Sequence, residues 1–266
     1  MRVAHIRRVL DQAAASGLSP RSLQPVRAVL SGVFATAVSW ELLESNPVKA
    51  VETPTAARPD LEVPSAEQAM SLLAVAQGTP WAIPILLAIT SGCRRSEILG
   101  LAWSAVDLDR GRISIVRNLQ RVRGEGLRFF DPKSARSRRM IVLPPSVVPA
   151  LRAWRKDQAE RRLILGAAWH DLNLVCVRGD GHPLDPDSMS HASKRLMAKA
   201  GLDPATMLHD LRHSLATTLL EEGVDITVVS SILGHSSTSF TADIYQHLTE
   251  GLSEQAAAAL ERRFGQ

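Results

Sequence analysis

Tyr245 is the only tyrosine in this chain of 266 residues, and it follows a segment with two histidine-containing turns and an arginine. A phenol can act as a nucleophile, but its unperturbed pKa of about 10 means that it needs a base or local positive charge. His209 is the candidate base. Arg94 and Arg212 can each bind phosphate oxygens and stabilise a pentavalent transition state. Together these residue types predict phosphoryl transfer to a tyrosine.

Two more side chains suit the same chemistry. Lys133 lies in a tight cationic turn, where it could protonate a departing oxygen, and His235 could bind a phosphate. The chain has no HExxH, no paired CxxC and no GxxxxGK sequence, the motifs that indicate a zinc site or a nucleotide-phosphate loop. The sequence therefore predicts no metal and no cofactor. The arginines would instead stabilise the negative charge of the transition state.

The surrounding pattern predicts the helices that position these groups. A helix over residues 207–222 places His209 and Arg212 on the same side. A second helix is expected over residues 226–233, with Gly234 as its C-terminal residue. The apolar stripe of the first helix recurs every three or four residues and consists of Leu208, Leu211, Leu215 and Leu219.

The segment beyond Gly234 is expected to carry the nucleophile. The glycine stop puts His235 at a sharp chain reversal, and Ser236, Ser237 and Thr238 offer caps for a third helix bearing Tyr245. An alanine-rich helix is expected over residues 254–264 at the C-terminus.

The rest of the chain predicts a mainly helical protein with a few strands. A basic hairpin is expected over residues 117–128, because Gly124 and Gly126 interrupt the pattern there. Helices are expected over residues 3–15, 20–43, 65–76, 81–91, 96–101, 144–163 and 187–200, and strands over residues 112–116, 129–130, 139–143 and 174–177.

Taken together, the motifs make the sequence resemble the catalytic domain of the tyrosine recombinases, the phage-integrase family of site-specific recombinases. They occur in the family's order between Thr90 and Tyr245. The resemblance implies a mainly α fold with a small antiparallel β-sheet (α+β). The motifs are Thr90-Ser91-Gly92-Cys93-Arg94-Arg95-Ser96-Glu97-Ile98-Leu99-Gly100-Leu101, Pro132-Lys133-Ser134, His209-Asp210-Leu211-Arg212-His213, Leu233-Gly234-His235 and the terminal Tyr245.

The resemblance implies a phosphate-binding role for three of these residues and a supporting role for a fourth. Arg94 and Arg212 would bind the scissile phosphate, and His235 would donate a hydrogen bond to it. Glu97 resembles a family acidic residue that supports the active-site arginine.

The resemblance also implies the roles in proton transfer and attack. Tyr245 would attack and form a 3′-phosphotyrosyl link, Lys133 would be the general acid for the 5′-oxygen, and His209 would assist proton transfer. Because the covalent link retains the energy of the broken bond, neither a metal nor ATP would be needed.

The domain organisation follows from the same resemblance. Residues 1–53 resemble only the later helices of the family's core-binding domain, residues 54–64 predict a semi-rigid linker with three prolines, and residues 65–266 predict the catalytic domain. The first helices of the core-binding domain are expected to be absent, which predicts weakened DNA binding.

Charge and composition suit a nucleic-acid partner inside the cell. The formal net charge is +4, and no apolar run is long enough to cross a bilayer, so we expect a cytoplasmic, nucleoid-associated protein without membrane contact. The expected partners are double-stranded DNA, further copies in a synaptic tetramer, and accessory DNA-bending or directionality proteins. The candidate DNA-binding side chains are Arg95, Arg121, Arg123, Arg136 and Arg138.

Three alternatives stay open from the sequence. The basic hairpin is also consistent with a solvated surface. A DNA-binding remnant that no longer turns over would have the same motifs, and a type IB topoisomerase would share the same chemistry.

Overall fold

The structure is a computed structural model that describes residues 3–53, 63–132 and 137–234. Across these residues the chain is mainly helical with two small antiparallel sheets, so the predicted fold class is confirmed. The chain divides into two units, Met1–Leu61 and Glu62–Gln266. Several predictions lie outside the described residues: those for Lys133, Arg136, His235 and Tyr245, for the helix bearing Tyr245 and for the C-terminal helix.

The first unit contains two helices, α1 (Val3–Ala15) and α2 (Pro20–Ser39). The hydroxyl of Ser19 caps α2 by accepting a hydrogen bond from the Ser22 amide at 3.2 Å. The helix ends before the predicted residue 43, because Glu41 adopts a left-handed backbone conformation with φ of 59°. The core of this unit is formed by Ile6, Leu10, Val48 and Val51, with Val26, Leu30 and Phe34 packed against it.

The helices of the second unit surround α4 (Ala82–Ser91), which is apolar on nearly all of its sides and therefore has to be buried. It packs against four other helices and ends directly before the turn that carries Arg94. The other helices are α3 (Ala66–Ala76), α5 (Arg95–Gly100), α6 (Val147–Leu165), α7 (Pro186–Lys199), α8 (Asp210–Glu221) and α9 (Ile226–Leu233).

Two separate antiparallel sheets complete the second unit. β1 (Val106–Asp107), β2 (Arg112–Ile115) and β5 (Arg139–Val142) form one sheet in the order β1-β2-β5, with Ile113 opposite Ile141. β3 (Asn118–Val122) and β4 (Gly126–Phe130) form the predicted hairpin. The strand predicted over residues 174–177 is wrong, because only the isolated bridges Ala102–Leu174 and Val177–Pro183 occur there.

The helix around the first histidine begins later than predicted. α8 starts at Asp210 rather than at residue 207, because the Asp210 carboxylate accepts a hydrogen bond from the Met207 amide at 2.7 Å and holds a turn before the helix. His209 is thus the N-cap residue. α9 ends as predicted at Gly234, which has a φ of 66°. Among the described residues, none of the helices combines the length and apolar character needed to cross a membrane.

Candidate active site

The turn between α4 and α5 places the first arginine. Gly92 has a φ of 61°, and a Cβ on it would lie 2.9 Å from Cδ2 of Leu233. The glycine therefore lets the end of α9 approach this turn closely. Arg94, two residues later, is the N-cap residue of α5, and 39% of its side chain is exposed.

The second arginine joins this turn to α9. Arg212 on α8 is buried, with 3% of its surface exposed. Its Nη1 donates to the Gly92 carbonyl and its Nη2 to the Leu233 carbonyl, each at 2.5 Å. Arg94 Nη2 reaches the next carbonyl, that of Gly234, at 3.4 Å. Arg94 and Arg212, which lie far apart in the sequence, therefore meet at adjoining carbonyls.

Glu97 is the acidic partner of this cluster. Its carboxylate accepts from the Arg94 amide at 2.8 Å and from Arg94 Nη1 at 2.9 Å, as a first-turn acceptor of α5. Burial raises the pKa of Glu97, but hydrogen bonds and charge from Arg139, together with Arg94, outweigh this and hold the pKa below its ordinary value. Glu97 is therefore ionised at neutral pH.

Arg139 is the site residue that sequence reasoning missed. Its Nη1 and Nη2 bind the two oxygens of Glu97 at 3.1 and 2.9 Å, and its Nε donates to the Ile232 carbonyl at 2.6 Å. The sequence contained a signal for this: Arg139 and the buried Ile141 are two apart on β5 and so share a face of the strand. An arginine on an inward face requires a buried anionic partner.

The charge of the cluster survives burial. Burial lowers the pKa of Arg212 to about 9, and the nearby positive charges of Arg94 and Arg139 act in the same direction. Arg212 is still protonated at neutral pH. The cluster thus holds three guanidinium groups and a single carboxylate, which pairs with Arg94 and Arg139, and the remaining positive charge suits a phosphodiester anion.

His209 lines the same cleft as Arg94. Burial lowers its pKa, and Arg212 and Arg94 lower it further, against the opposing effect of Asp210. The imidazole is therefore neutral at pH 7 and able to accept a proton. The ring of His213 lies edge-on to it, with the two ring centroids 5.0 Å apart.

The pH dependence of stability provides a first test of this geometry. Burial lowers the pKa of His213 to about 4, with the His209 charge acting in the same direction. Because the unfolded chain takes up this proton near pH 6.5 and the folded chain only near pH 4, stability is expected to fall as the pH drops through that window. Urea unfolding across this range is expected to show a shallower fall for His213→Gln than for the wild type. Equal slopes for His213→Gln and the wild type would contradict the assignment.

The cleft that contains Arg94 and His209 has a volume of about 660 Å³. β3 and the beginning of α7 also line this cleft. Besides Arg94 and His209, the lining residues are Arg95, Ser96, Leu119, Gln120, Arg121, Arg123, Pro186 and Asp187.

Two of the arginines predicted to bind DNA instead contact α7 or the loop before it. Arg95 Nη1 donates to the Pro186 carbonyl at 3.0 Å and to the hydroxyl of Ser190. Arg121 pairs with Asp185, its Nε lying 2.8 Å from Oδ2. These contacts brace the hairpin and α5 against α7, and a DNA phosphate would have to compete with them.

The other predicted DNA-binding arginines differ in their surroundings. Arg123 is exposed at the hairpin tip and has no side-chain hydrogen bond or ion pair within the described part of the chain. Arg138 lies 3.3 Å from a carboxylate oxygen of Asp131, on the surface. Arg136 is outside the described residues. DNA binding by all of these arginines stays a prediction.

No group of three or more His, Cys, Asp or Glu side chains is arranged to hold a metal ion within residues 3–53, 63–132 and 137–234. The two cysteines, Cys93 and Cys176, are free and buried.

Solved structures and characterised relatives place this architecture among known proteins. A structure of the Tn1549 transposon integrase in complex with transposon right end DNA matches with a TM-score of 0.80 at 21% identity, covering 97% of this chain and 86% of that one. A structure of XerA recombinase matches with a TM-score of 0.58 at 20% identity, covering 96% of this chain and 83% of that one. At these identities the likeness concerns the fold.

Sequence relatives cover nearly the whole chain. A tyrosine recombinase XerC-like protein from Caldanaerobacter subterraneus subsp. tengcongensis is 28% identical over 276 residues, covering 97% of this chain and 70% of the relative. An integrase from Streptomyces ambofaciens is 29% identical over 262 residues, covering 95% of this chain and 66% of the relative.

The family model described as the phage integrase family matches residues 62–251, which include all the motifs on which the resemblance was based. The resemblance drawn from those motifs is confirmed, and the chain belongs to the phage integrase family.

Proposed function

We propose that this chain is a site-specific DNA recombinase that cuts and rejoins double-stranded DNA through a 3′-phosphotyrosyl intermediate, without a metal ion or ATP. The observation that supports it most is the convergence of Arg94 and Arg212 at the end of α9, beside a neutral His209. The integrases and recombinases to which the chain is similar, some of them solved with DNA, support the same reading.

In the proposed reaction the Tyr245 oxygen attacks the scissile phosphorus, and the bond from phosphorus to the 5′-oxygen breaks. His209 assists removal of the phenolic proton, and Lys133 donates a proton to the departing 5′-oxygen. The phosphodiester is exchanged for a phosphotyrosyl ester of similar energy. A 5′-hydroxyl of another strand then reverses the steps, which rejoins the DNA and releases the tyrosine.

The two arginines have complementary parts in this reaction. Arg212 is oriented before DNA arrives, because the carbonyls of Gly92 and Leu233 occupy one donor on each of its terminal nitrogens. Its remaining N–H groups are the ones that would bind a non-bridging oxygen. Arg94 is the more exposed of the two and would bind the phosphate from the cleft side, with His235 adding a further hydrogen bond.

The remaining parts of the proposal concern partners and organisation. The chain acts on duplex DNA as a synaptic tetramer, together with accessory DNA-bending or directionality proteins. Its location is the cytoplasm, in association with the nucleoid. Residues 1–53 are a helical core-binding domain, residues 54–64 a linker and residues 65–266 the catalytic domain. Arg123, which lines the cleft and is exposed, is the best placed of the described arginines to contact the DNA backbone.

Covalent capture tests the function directly. The wild-type chain is incubated with a pool of nicked duplexes whose central sequence is random, and the DNA that stays attached to protein in SDS is sequenced. Enrichment of one sequence in a tyrosine-linked adduct is the expected result. Duplex binding without an adduct would indicate a DNA-binding remnant that does not turn over. Relaxation of any supercoiled plasmid without sequence preference would indicate a type IB topoisomerase.

Metal and nucleotide removal is expected to leave the reaction unchanged. Because two guanidinium groups supply the positive charge at the phosphate, adduct formation in excess EDTA and without nucleotide should stay within about twofold of its rate with Mg²⁺. The measurement is a single-turnover time course on the enriched duplex. Loss of the adduct in EDTA, restored by Mg²⁺ at matched ionic strength, would contradict the proposed charge stabilisation.

A further inference from the structure

At the C-terminal end of α9, three successive carbonyls each accept a hydrogen bond from a different arginine. They belong to the last two residues of the helix and to the glycine that follows it. The end of a helix has carbonyls without partners inside the helix and a partial negative charge, so cations suit this position. Here the three cations come from three separate elements: β5, α8 and the turn before α5. The pairs are Arg139 Nε with Ile232 at 2.6 Å, Arg212 Nη2 with Leu233 at 2.5 Å and Arg94 Nη2 with Gly234 at 3.4 Å.

Arg139 differs from the other two because it has no donor left for DNA. Its guanidinium has five N–H groups. They are matched by five acceptor contacts: two with Glu97, one each with the carbonyls of Ile232 and Ser137, and one with the Cys93 sulfur at 3.9 Å. Only 5% of the side chain is exposed. Arg139 is therefore not a phosphate ligand, and its hydrogen bonds act on the protein.

The chain leaves α9 directly over this guanidinium. A Cβ on Gly234 would lie 2.9 Å from Nη1 of Arg139 and 3.0 Å from its Cδ. The left-handed backbone of Gly234 adds a second reason for glycine at this position. The packing of Arg139 thus limits where the backbone of Gly234 lies at the end of α9.

We propose that Arg139 is a positioning residue for strand cleavage. It holds the end of α9 against Glu97, so that the segment beginning at His235 and carrying Tyr245 is delivered to the phosphate bound by Arg94 and Arg212. Arg139 acts on the attacking side of the reaction and not through the general acid, although β5 follows the Lys133 turn directly. This inference rests on the proposed recombinase function.

Arg139→Lys keeps the charge but cannot bind Glu97 and Ile232 at once, because a single ammonium replaces the planar fork. At saturating DNA and well below the unfolding temperature, the single-turnover cleavage rate is expected to fall about 100-fold, with duplex affinity changed by less than about threefold. Arg112→Lys, the same change at an exposed position of the same sheet, is expected to cleave like the wild type. A wild-type rate for Arg139→Lys would overturn the proposal.

A substrate with sulfur in place of the bridging 5′-oxygen separates the two sides of the reaction. A thiolate leaves without a proton, so this substrate bypasses the general acid. Lys133→Ala is expected to regain cleavage on it, whereas Arg139→Lys is expected to stay slow. If Arg139→Lys recovers cleavage on the sulfur substrate, Arg139 acts through Lys133 and the proposal is wrong.

A second variant disturbs the same contact from the α9 side and covers the case in which Arg139→Lys does not fold. Gly234→Ala is expected to retain duplex binding and to lose cleavage. The sulfur substrate is not expected to restore its cleavage rate. Gly223→Ala is the matched control, because Gly223 has a similar φ of 80° at the end of α8 but no atom of the described residues lies within 4 Å of its added Cβ. Equal cleavage by the two alanine variants would contradict the inference.

The proposed function and this inference can fail separately. If the wild-type chain forms no adduct on any duplex, the recombinase function fails. If the wild type forms an adduct but a folded Arg139→Lys cleaves at the wild-type rate, or Gly234→Ala cleaves as fast as Gly223→Ala, the recombinase function stands and the positioning role of Arg139 is lost.

Discussion

Tyr245→Phe is expected to abolish the covalent protein–DNA adduct and to leave duplex affinity unchanged. The substitution removes one oxygen, and no other tyrosine exists in the chain to replace it. The phenol has little part in binding, since the phosphate is bound by guanidinium groups. The measurement is an SDS-resistant band on the captured duplex, beside a gel-shift titration of the same preparation.

An adduct that persisted in Tyr245→Phe would assign the nucleophile to another residue. The chain contains many serines, which are the alternative nucleophiles, and peptide mapping of the adduct would identify the residue that is linked to DNA. Loss of both adduct and binding would instead mean that the substitution damages the fold. A normal unfolding curve for the variant would show that its fold is intact.

A mixing experiment with the same variant shows which subunit supplies the phenol. Tyr245→Phe has the arginine cluster but no nucleophile, and Arg212→Lys has the nucleophile but a damaged cluster. If the tyrosine attacks within its own subunit, the mixture stays inactive. If it is donated to a neighbouring subunit, the mixture is expected to recover part of the cleavage, because mixed assemblies then contain one complete site.

The sequence predicted the local framework of the site well, for physical reasons that can be named. Gly234 ends α9 in the left-handed conformation, as its place after an apolar helix indicates, and the helix predicted from residue 65 has Ser65 as its N-cap, in a capping box with Gln68. These signals are local, because backbone conformation and first-turn hydrogen bonds depend on residues three or four apart. The basic hairpin was predicted from its glycines in the same way.

Other features depend on contacts between residues far apart in the chain, which periodicity does not report. Residues 174–177 were predicted to form a strand, but only isolated bridges form, since no strand in the described part of the chain lies beside them to make a ladder. α8 starts at Asp210 because a side-chain hydrogen bond competes with the helical pattern. The surroundings of Arg121 were likewise hidden, because its partner Asp185 is distant in sequence.

Arg139 shows most clearly why the site could be predicted only in part. In the sequence it is one of several arginines in a cationic turn, and only its spacing of two residues from Ile141 on the predicted strand separates it from Arg138. In the structure the two neighbours point to opposite environments: Arg138 pairs with Asp131 at the surface, and Arg139 is buried against Glu97. Strand alternation is the physical cause. The inward position becomes recognisable only when the strand's register and a buried carboxylate are both known.

Arg212→Lys is expected to lower the single-turnover cleavage rate about 1,000-fold, the second large effect after loss of the nucleophile. Lysine keeps the positive charge, so a simple charge requirement would predict a small effect. The arginine instead has to bind two carbonyls, those of Gly92 and Leu233, and still present N–H groups to the phosphate. An ammonium at the end of a flexible chain cannot do both.

The same substitution is expected to cost stability, because it leaves a buried carbonyl without its partner, at about 1–3 kcal/mol. Unfolding curves therefore have to accompany the rates, which are compared at saturating DNA with Arg112→Lys as control. A substrate whose non-bridging oxygen is replaced by a methyl group isolates the electrostatic part. It carries less negative charge in the transition state, so the deficit of Arg212→Lys is expected to shrink on it. A deficit of the same size on both substrates would show that Arg212 acts only through the packing of α9, and that phosphate stabilisation belongs to Arg94 alone.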